Sequence, residues 1–402
     1  MIEVAEAVKI VQDTTLQLPA VKIPLEKSLG RVLRENVKAD SDFPPFDRVM
    51  MDGIAIRFED FEKGIRTYAI TGVQAAGAPQ MNLVKGHNCL EVMTGAVTPI
   101  DANVVVPYEE VSIDYEKRIA TVNINQLSAD QNIHKRATDK QKGDILLKEG
   151  IVIEAPEIAV AASVGKTELL VTKNPRVAII STGDELVDIR SVPLPHQIRR
   201  SNVYALSAEL NNFGIRSTLF HFNDEKENLK LQLEEVLDNH DVMLMSGGVS
   251  KGKFDFVPET LEQLGVLRLF HRIKQKPGKP FWFGAGRNHK VVFAFPGNPV
   301  STFLCYHKYF VPWLHKSLGL KIGQETKAVL GQDFHIKTSL TYFLQVRTAI
   351  NERGQLTAFP KVGRGSGDHA NLLISDAFLE LPGNTFDFKK GEVFKLISFR
   401  KT

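Results

Sequence analysis

The sequence predicts a multidomain α/β plus β protein: one large, central three-layer α/β domain, a β-rich N-terminal region before it and a small C-terminal β domain after it. Three observations carry this. The 402 residues exceed one compact core at about 100–200 residues per domain. From residue 174 to about 318, short β-branched runs alternate with helical spacing, the mark of a mostly parallel sheet layered with helices. On both sides of that stretch the apolar runs are short and broken by Gly and Pro.

At the N-terminus, residues 1–12 (MIEVAEAVKIVQ) put Ile2, Val4, Ala5, Val8 and Val11 on one helical face, with Glu3, Glu6 and Lys9 interleaved. Residues 1–173 form the β-rich N-terminal region, with some helix. The α/β domain covers 174–318. Its strands are predicted at 176–181 (RVAIIS), 217–221, 241–246 (DVMLMS) and 291–295 (VVFAF). Its helices are predicted at 202–213, ended by Gly214, at 228–239 with Leu229, Leu233, Val236 and Leu237 inward, and at 299–314. Residues 316–325 (KSLGLKIGQE) read as a linker, and 325–402 as the small β domain, closing with EVFKLISF at 392–399.

Composition narrows the function. Hydrophobic residues at 43% and charged residues at 24% suit a folded globular protein. Fifty Lys plus Arg against 47 Asp plus Glu leave +3, too small a bias for a nucleic-acid or membrane-surface partner, so anion recognition has to be local. Cys89 and Cys305 lie far apart and make no disulfide framework or metal pattern, which fits a reducing cytoplasmic compartment. The charges among the first residues exclude a signal peptide, and the apolar stretch 151–164 is broken by Glu154, Pro156 and Glu157, so no bilayer span is expected.

Four loops of the α/β domain follow strands or begin helices, where open α/β sheets bind ligands. STGDE at 181–185 offers Asp184 and Glu185 at a strand end, suited to a hard divalent cation beside phosphates. SGGVSKGKFD at 246–255 has Gly247 and Gly248, which let backbone approach an anion, and the carboxylate of Asp255. Its G-x-x-x-x-G-K spelling is no P-loop, because Phe254 stands where Ser or Thr would hold Mg²⁺. KPGKP at 276–280 sets Lys276 and Lys279 around a Pro-Gly turn, and FPGNPVS at 295–301 has Asn298 as N-cap and Pro299 as first helical residue. Taken singly, each loop has an ordinary reading: an acidic turn, a glycine turn, solvated lysines, a helix start. Together they describe a pocket for a phosphorylated, metal-assisted substrate. The eleven histidines are scattered and receive no catalytic part.

With FDRVMMDGIA at 46–55, MTGAVTP at 93–99, NIHKRATDKQKGD at 132–144, QIRRSN at 197–202 and the four loops in that order, the chain resembles the molybdopterin molybdenumtransferase family, of MoeA type, which includes the E domain of gephyrin. The resemblance runs over essentially the whole chain. It implies that the N-terminal region 1–173 is two subdomains, the inserted one spanning roughly 45–145, followed by a central molybdopterin-binding domain. It implies insertion of molybdate into adenylylated molybdopterin, with cleavage of the phosphoanhydride and release of AMP, as the last step of molybdenum cofactor biosynthesis. It implies catalytic roles for Asp52, Asp139, Glu185 and Asp255, with Mg²⁺ held by Glu185 and Asp255. It implies substrate contacts from Thr94, Ser201, Asn202, Gly247, Gly248, Ser250, Lys276, Lys279, Pro296, Asn298, Pro299, Ser301 and Ser366. It also implies a homodimer whose cleft joins the central domain of one subunit to N-terminal domains of the other, and transient contact with an adenylyltransferase or with molybdoenzymes.

The chain departs from the family pattern in several places. Arg48, Val49 and Met50 replace Asn-Ser-Ala, Arg200 replaces an Asp, Lys253 replaces an acid, and Ala137 and Thr138 replace Gly-Glu. Gln345 stands where an Arg would clamp molybdate. The expectation is that Arg200 and Lys253 hold the pyrophosphate and lessen the need for Mg²⁺, while Arg347, two residues along a strand, either covers for Gln345 or is merely solvated. Two other readings are carried: a non-catalytic paralogue acting as carrier or scaffold, and a molybdopterin adenylyltransferase.

Overall fold

The computed structural model describes residues 1–223, 226–249, 256–286, 289–320 and 325–400. The chain divides into two compact units. One comprises Met1–Arg34, Glu149–Ala155 and Glu168–Thr402; the other comprises Glu35–Lys148 and Pro156–Thr167.

In the larger unit a six-stranded sheet runs in the order Ser217–Phe222, Val177–Thr182, Val242–Ser246, Val291–Phe295, Trp282–Ala285, Leu267–His271. The first four are parallel; Trp282–Ala285 pairs antiparallel with both Val291–Phe295 and Leu267–His271, so it alone runs the other way. Alternation along Val177–Thr182 makes the layers. Val177 and Ile179 join one core with Leu206 and Leu210 of the helix Asn202–Asn211 and with Leu304, Phe310 and Trp313. Ala178 and Ile180 join another with Leu229, Leu233 and Leu261 on the opposite face. Both faces are covered, which is why these strands read as continuous apolar runs. The three-layer expectation therefore holds.

Two local expectations are corrected. The N-terminal helix is Val4–Asp13; Ile2, Val4, Val8 and Val11 pack against the core as expected, but Ala5 is exposed and Ala7 is buried in its place. In the helix Lys226–Asn239, Leu229, Leu233 and Val236 are buried and Leu237, partly buried, packs against the same core, as expected. The helix predicted at 299–314 runs on to Ser317 as Pro299–Cys305, a π-helical turn Tyr306–Phe310 and Val311–Ser317, and Leu318 is buried, so the expected linker opens inside a helix end.

The π-helical turn carries His307, which is buried and whose imidazole is pushed down to about 3 by that burial. The native state holds it neutral while the unfolded chain takes up a proton below about 6.5. Its contribution to stability is therefore fully present above pH 6.5 and is lost as pH falls toward 3, at up to about 1.4 kcal/mol per pH unit. Replacing His307 by Leu is expected to flatten the acid limb of the stability–pH curve by that slope, measured by urea unfolding between pH 4 and pH 7 (roughly the window of the shift).

The C-terminal part of the same unit closes into a small barrel. Strands Thr341–Ile350, Leu356–Pro360, Lys327–Leu330, Val393–Ser398 and Ala377–Leu381 pair in turn, and the last pairs back to the first. Gln275–Lys276 adds onto this barrel in parallel with Thr341 and Tyr342, which ties the lysine loop of the α/β layer to the barrel wall. The smaller unit holds its own six-stranded sheet, in the order Val104–Pro107, Gly53–Ile56, Asn88–Val92, Thr67–Gln74, Ile119–Val122, Val111–Asp114. Gly53 is obligatory there, since a Cβ would lie 2.0 Å from the Val106 carbonyl oxygen.

Among the described residues, no helix is long and apolar enough to cross a membrane.

Candidate functional site

Thr182, Ser246 and Phe295 end three parallel strands of the α/β sheet side by side, and beyond them opens a cleft of about 1030 Å³. Gly183, at φ +132°, lets the Glu185 side chain fold back over it: a Cβ at 183 would meet Glu185 Oε2 at 2.5 Å. Gly247 and Gly248 take φ of +103° and +68°, and a Cβ on Gly247 would lie 2.9 Å from the Thr182 carbonyl oxygen. Thr182 Oγ1 is buried there without a hydrogen-bond partner. Asn202 fastens the surrounding loops, donating from Nδ2 to Ser246 Oγ at 2.8 Å and to the Gly297 carbonyl at 2.7 Å.

Next to the cleft lies a smaller basin of about 330 Å³, and the two share Pro280, Pro296 and Asn298 in their walls. Lys276, Lys279 and Lys361 line the basin with no carboxylate among its lining residues, and Ser301, Gln345 and Ser366 supply hydroxyl and amide groups. The lysine turn stands on a buried strut. Gln275 Nε2 donates to the Pro277 carbonyl at 3.1 Å and the Gly278 carbonyl at 3.3 Å, and its Oε1 accepts from the Tyr309 hydroxyl. Gly278 sits at φ +86°, where a Cβ would be 2.8 Å from Cys305 Sγ. On the far wall, Asn298 Nδ2 donates to Ser366 Oγ at 2.8 Å, and the Val300 amide donates to the Ser366 carbonyl at 3.1 Å.

In the smaller unit, Asp52 Oδ1 accepts from the Thr94 amide at 2.6 Å and the Thr94 hydroxyl at 2.7 Å, and these bonds hold its carboxyl below the usual carboxylate range. Asp139 Oδ1 lies 2.9 Å from His134 Nε2, and the other ring nitrogen lies 3.1 Å from Arg48 Nη2.

A relative from Synechocystis sp., named molybdopterin molybdenumtransferase, is 39% identical over 396 residues, covering 98% of this chain and 99% of its own. The chain belongs to the molybdopterin molybdenumtransferase family. A namesake from Staphylococcus epidermidis is 31% identical over 98% of this chain and 95% of its own. Family models match in order: the MoeA N-terminal region (domain I and II) at residues 2–165, a probable molybdopterin binding domain at 178–316 and the MoeA C-terminal region (domain IV) at 327–399. The solved structure of the molybdopterin biosynthesis moeA protein from Pyrococcus horikoshii OT3 is 27% identical and superposes with a TM-score of 0.83, over 99% of this chain and 100% of that one.

Of the residues that the family resemblance singles out, Glu185, Ser201, Asn202, Gly247, Gly248 and Pro299 line the cleft. Lys276, Lys279, Ser301 and Ser366 line the basin, and Pro296 and Asn298 line both. Asp52, Thr94 and Asp139 belong to the other unit. Ser250, Lys253 and Asp255 lie outside the described residues.

Several expected details differ. Asn298 occupies the N-cap position, but its side chain makes no capping bond; Nδ2 donates to Ser366 Oγ, and the Val300 amide that a cap could take donates to the Ser366 carbonyl. The Gly247 amide donates to the Phe295 carbonyl at 3.2 Å and the Val300 amide is taken by Ser366, so two backbone donors expected to await an anion are already engaged. Arg200 lines the cleft, yet its Nη2 is held by Asp188 Oδ2 at 2.5 Å, so its charge is partly neutralised before any pyrophosphate arrives. Arg347 does not stand in for the lost clamp: it is absent from the basin lining and pairs with Asp376 at 3.4 Å, while Gln345 itself lines the basin and accepts a bond from Asn371. Sequence reasoning missed Lys361 and Gln275. Lys361 is one lysine on a loop far along the chain, and Gln275 is a buried polar residue whose only signal is its place beside the KPGKP turn.

Proposed function

We propose that the chain inserts molybdate into adenylylated molybdopterin with release of AMP, the last step of molybdenum cofactor biosynthesis. The observation that carries this is the pair of basins sharing the Pro296–Asn298 wall: a roomy polar cleft at the sheet edge beside a small acid-free basin with three lysines. A pterin nucleotide needs the first, and a small oxyanion such as molybdate suits the second. Cleavage of the phosphoanhydride spreads negative charge over phosphoryl oxygens, and fixed donors lower its barrier. The Thr182 hydroxyl, without a partner and beside the two glycines, is one such donor of this chain. Lys276, Lys279 and Lys361 hold the oxyanion as point charges, and Ser301 and Ser366 orient it.

On the strength of the resemblance, the reading also takes Asp52, Asp139, Glu185 and Asp255 as catalytic residues, residues 1–173, 174–318 and 325–402 as the domains, and a cytoplasmic homodimer as the working form. Mg²⁺ is a different matter. Among the described residues, no three His, Cys, Asp or Glu side chains come together to hold a metal ion. Of the two carboxylates taken to hold it, Glu185 lines the cleft beside Arg199 and Arg200, and Asp255 lies outside the described residues. One or two carboxylates together with substrate phosphates make a Mg²⁺ site, so Glu185 and Asp255 are the residues that would hold the ion, and no step is assigned to it.

The test is rescue of a molybdoenzyme-deficient strain that lacks its own insertase. The native chain is expected to restore molybdoenzyme activity, and Glu185→Gln, which keeps size and removes charge, is expected to lower it at least about tenfold. No rescue by the native chain, despite soluble expression, would refute the reading and leave the carrier or scaffold role.

A further inference from the structure

A third cavity lies at the opposite end of the α/β sheet from the cleft. The cleft opens beyond Thr182, whereas this cavity includes Asn174, just before the same strand begins at Val177. It measures about 670 Å³, within the range of organic-ligand sites. One wall is a helix face, His307, Val311 and His315 at successive turns, continued by Leu318 and Leu320. The others are the end of the helix Asn202–Asn211 with Glu209 and Phe213, the segment 29–32, the segment 152–154 with Glu154, and residues 398–400.

Two kinds of unmet polar need face this apolar space. His307 Nε2 is buried with no hydrogen-bond partner, 3.8 Å from Glu209 Oε1, which is too long for a bond between them. Arg31 and Arg400 are held only by backbone carbonyls: Arg31 Nη2 by Thr172 at 2.7 Å, Arg400 by Leu372 at 3.1 Å and Ser375 at 3.2 Å. Neither has a carboxylate partner among the described residues, and Arg31 Nε is buried without any partner. A buried polar group left unpaired is costly, and in native proteins it commonly marks a missing partner. The π-helical turn Tyr306–Phe310 that presents His307 is an independent sign, since such turns are rare in helices and concentrate at functional sites.

We propose that this cavity is a second ligand site, which takes a small amphipathic organic anion: an apolar, flat body between Phe213, Val311, Leu318 and Phe399, and one anionic group toward Arg31 and Arg400. A hydroxyl or amide on the body would meet His307 Nε2, the buried ring nitrogen without a partner. The helix that forms one wall begins at the residues lining the two basins, so the site shares a rigid element with them.

The probe is 8-anilinonaphthalene-1-sulfonate, whose aromatic body and single sulfonate match these walls, with N-phenyl-1-naphthylamine as the uncharged counterpart. Titration of the native full-length chain is expected to show one saturable fluorescent site that excess inorganic pyrophosphate does not displace. Arg400→Gln is expected to weaken the sulfonate about tenfold, the loss of one charged donor, and to leave the amine unchanged. Val311→Trp, which fills the cavity, is expected to abolish both. Thermal unfolding checks that each variant is folded. Binding that never saturates, that pyrophosphate displaces, or that both variants leave intact would overturn the proposal, as would equal affinity for the two probes.

Discussion

Replacing Lys279 by Gln lowers AMP release from adenylylated molybdopterin by about 10²–10³-fold, the usual cost of removing one preorganised donor to an oxyanion. The same change leaves the melting temperature level or slightly raises it. Lys276, Lys279 and Lys361 line one basin of about 330 Å³ without an acid among its lining residues, so their mutual repulsion is borne by the folded state. Removing one relieves it. A structural role for Lys279 predicts the opposite pair of results, lower stability with activity falling only in proportion. Because Lys276 and Lys279 are exposed, raising the ionic strength is expected to weaken molybdate binding more in the native chain than in the variant. Rates of AMP release under saturating and limiting molybdate, with differential scanning calorimetry on the same preparations, decide the matter.

Trp313→Ala has the largest expected effect on stability, about 3–5 kcal/mol. The indole is fully buried, its ring centroid 5.2 Å from that of Phe293 and 5.5 Å from that of Phe310, in the core between sheet and helix. Its Nε1 donates to the Thr14 carbonyl at 2.9 Å, which ties the end of the N-terminal helix to the sheet layer. Alanine would leave a large cavity and an unmet carbonyl together. Against a total of about 5–15 kcal/mol for a domain, that is a large share, and it is read as a shift of the denaturant midpoint. Trp313→Phe, keeping the ring and losing the donor, should recover most of it. If alanine costs under about 1 kcal/mol, the packing account of this core is wrong.

The central layer was legible because its physics is local. Residues 291–295 read as a strand and form one, since a run buried on both faces needs apolar residues throughout. The helix ending before Gly214 is legible for a similar reason: Gly214 takes φ +65°. What stayed hidden depends on partners distant in sequence. The barrel closes by pairing Thr341–Ile350 with Ala377–Leu381, and the lysine turn is anchored by pairing Gln275–Lys276 with Thr341 and Tyr342, and neither pairing leaves a trace in local periodicity. The phase of the first helix follows the same logic. Val4, Ala7 and Val11 pack inward because of what they meet there, and the sequence alone offered Ala5 as an equal candidate. At the site, residue types and loop order pointed to the right loops, but hydrogen-bond bookkeeping did not: only the structure shows that Asn298, Arg200 and the Gly247 amide already have partners.

The wall common to the two basins has a use in inhibitor design. Pro296 and Asn298 border both spaces, so two fragments that bind weakly on either side can be tethered across a ridge of a few residues. A short linker makes the second capture intramolecular, at an effective concentration of roughly millimolar, and the joined compound then outstrips either half without one new contact. Such a bisubstrate mimic would be blind to enzymes that bind only the nucleotide half.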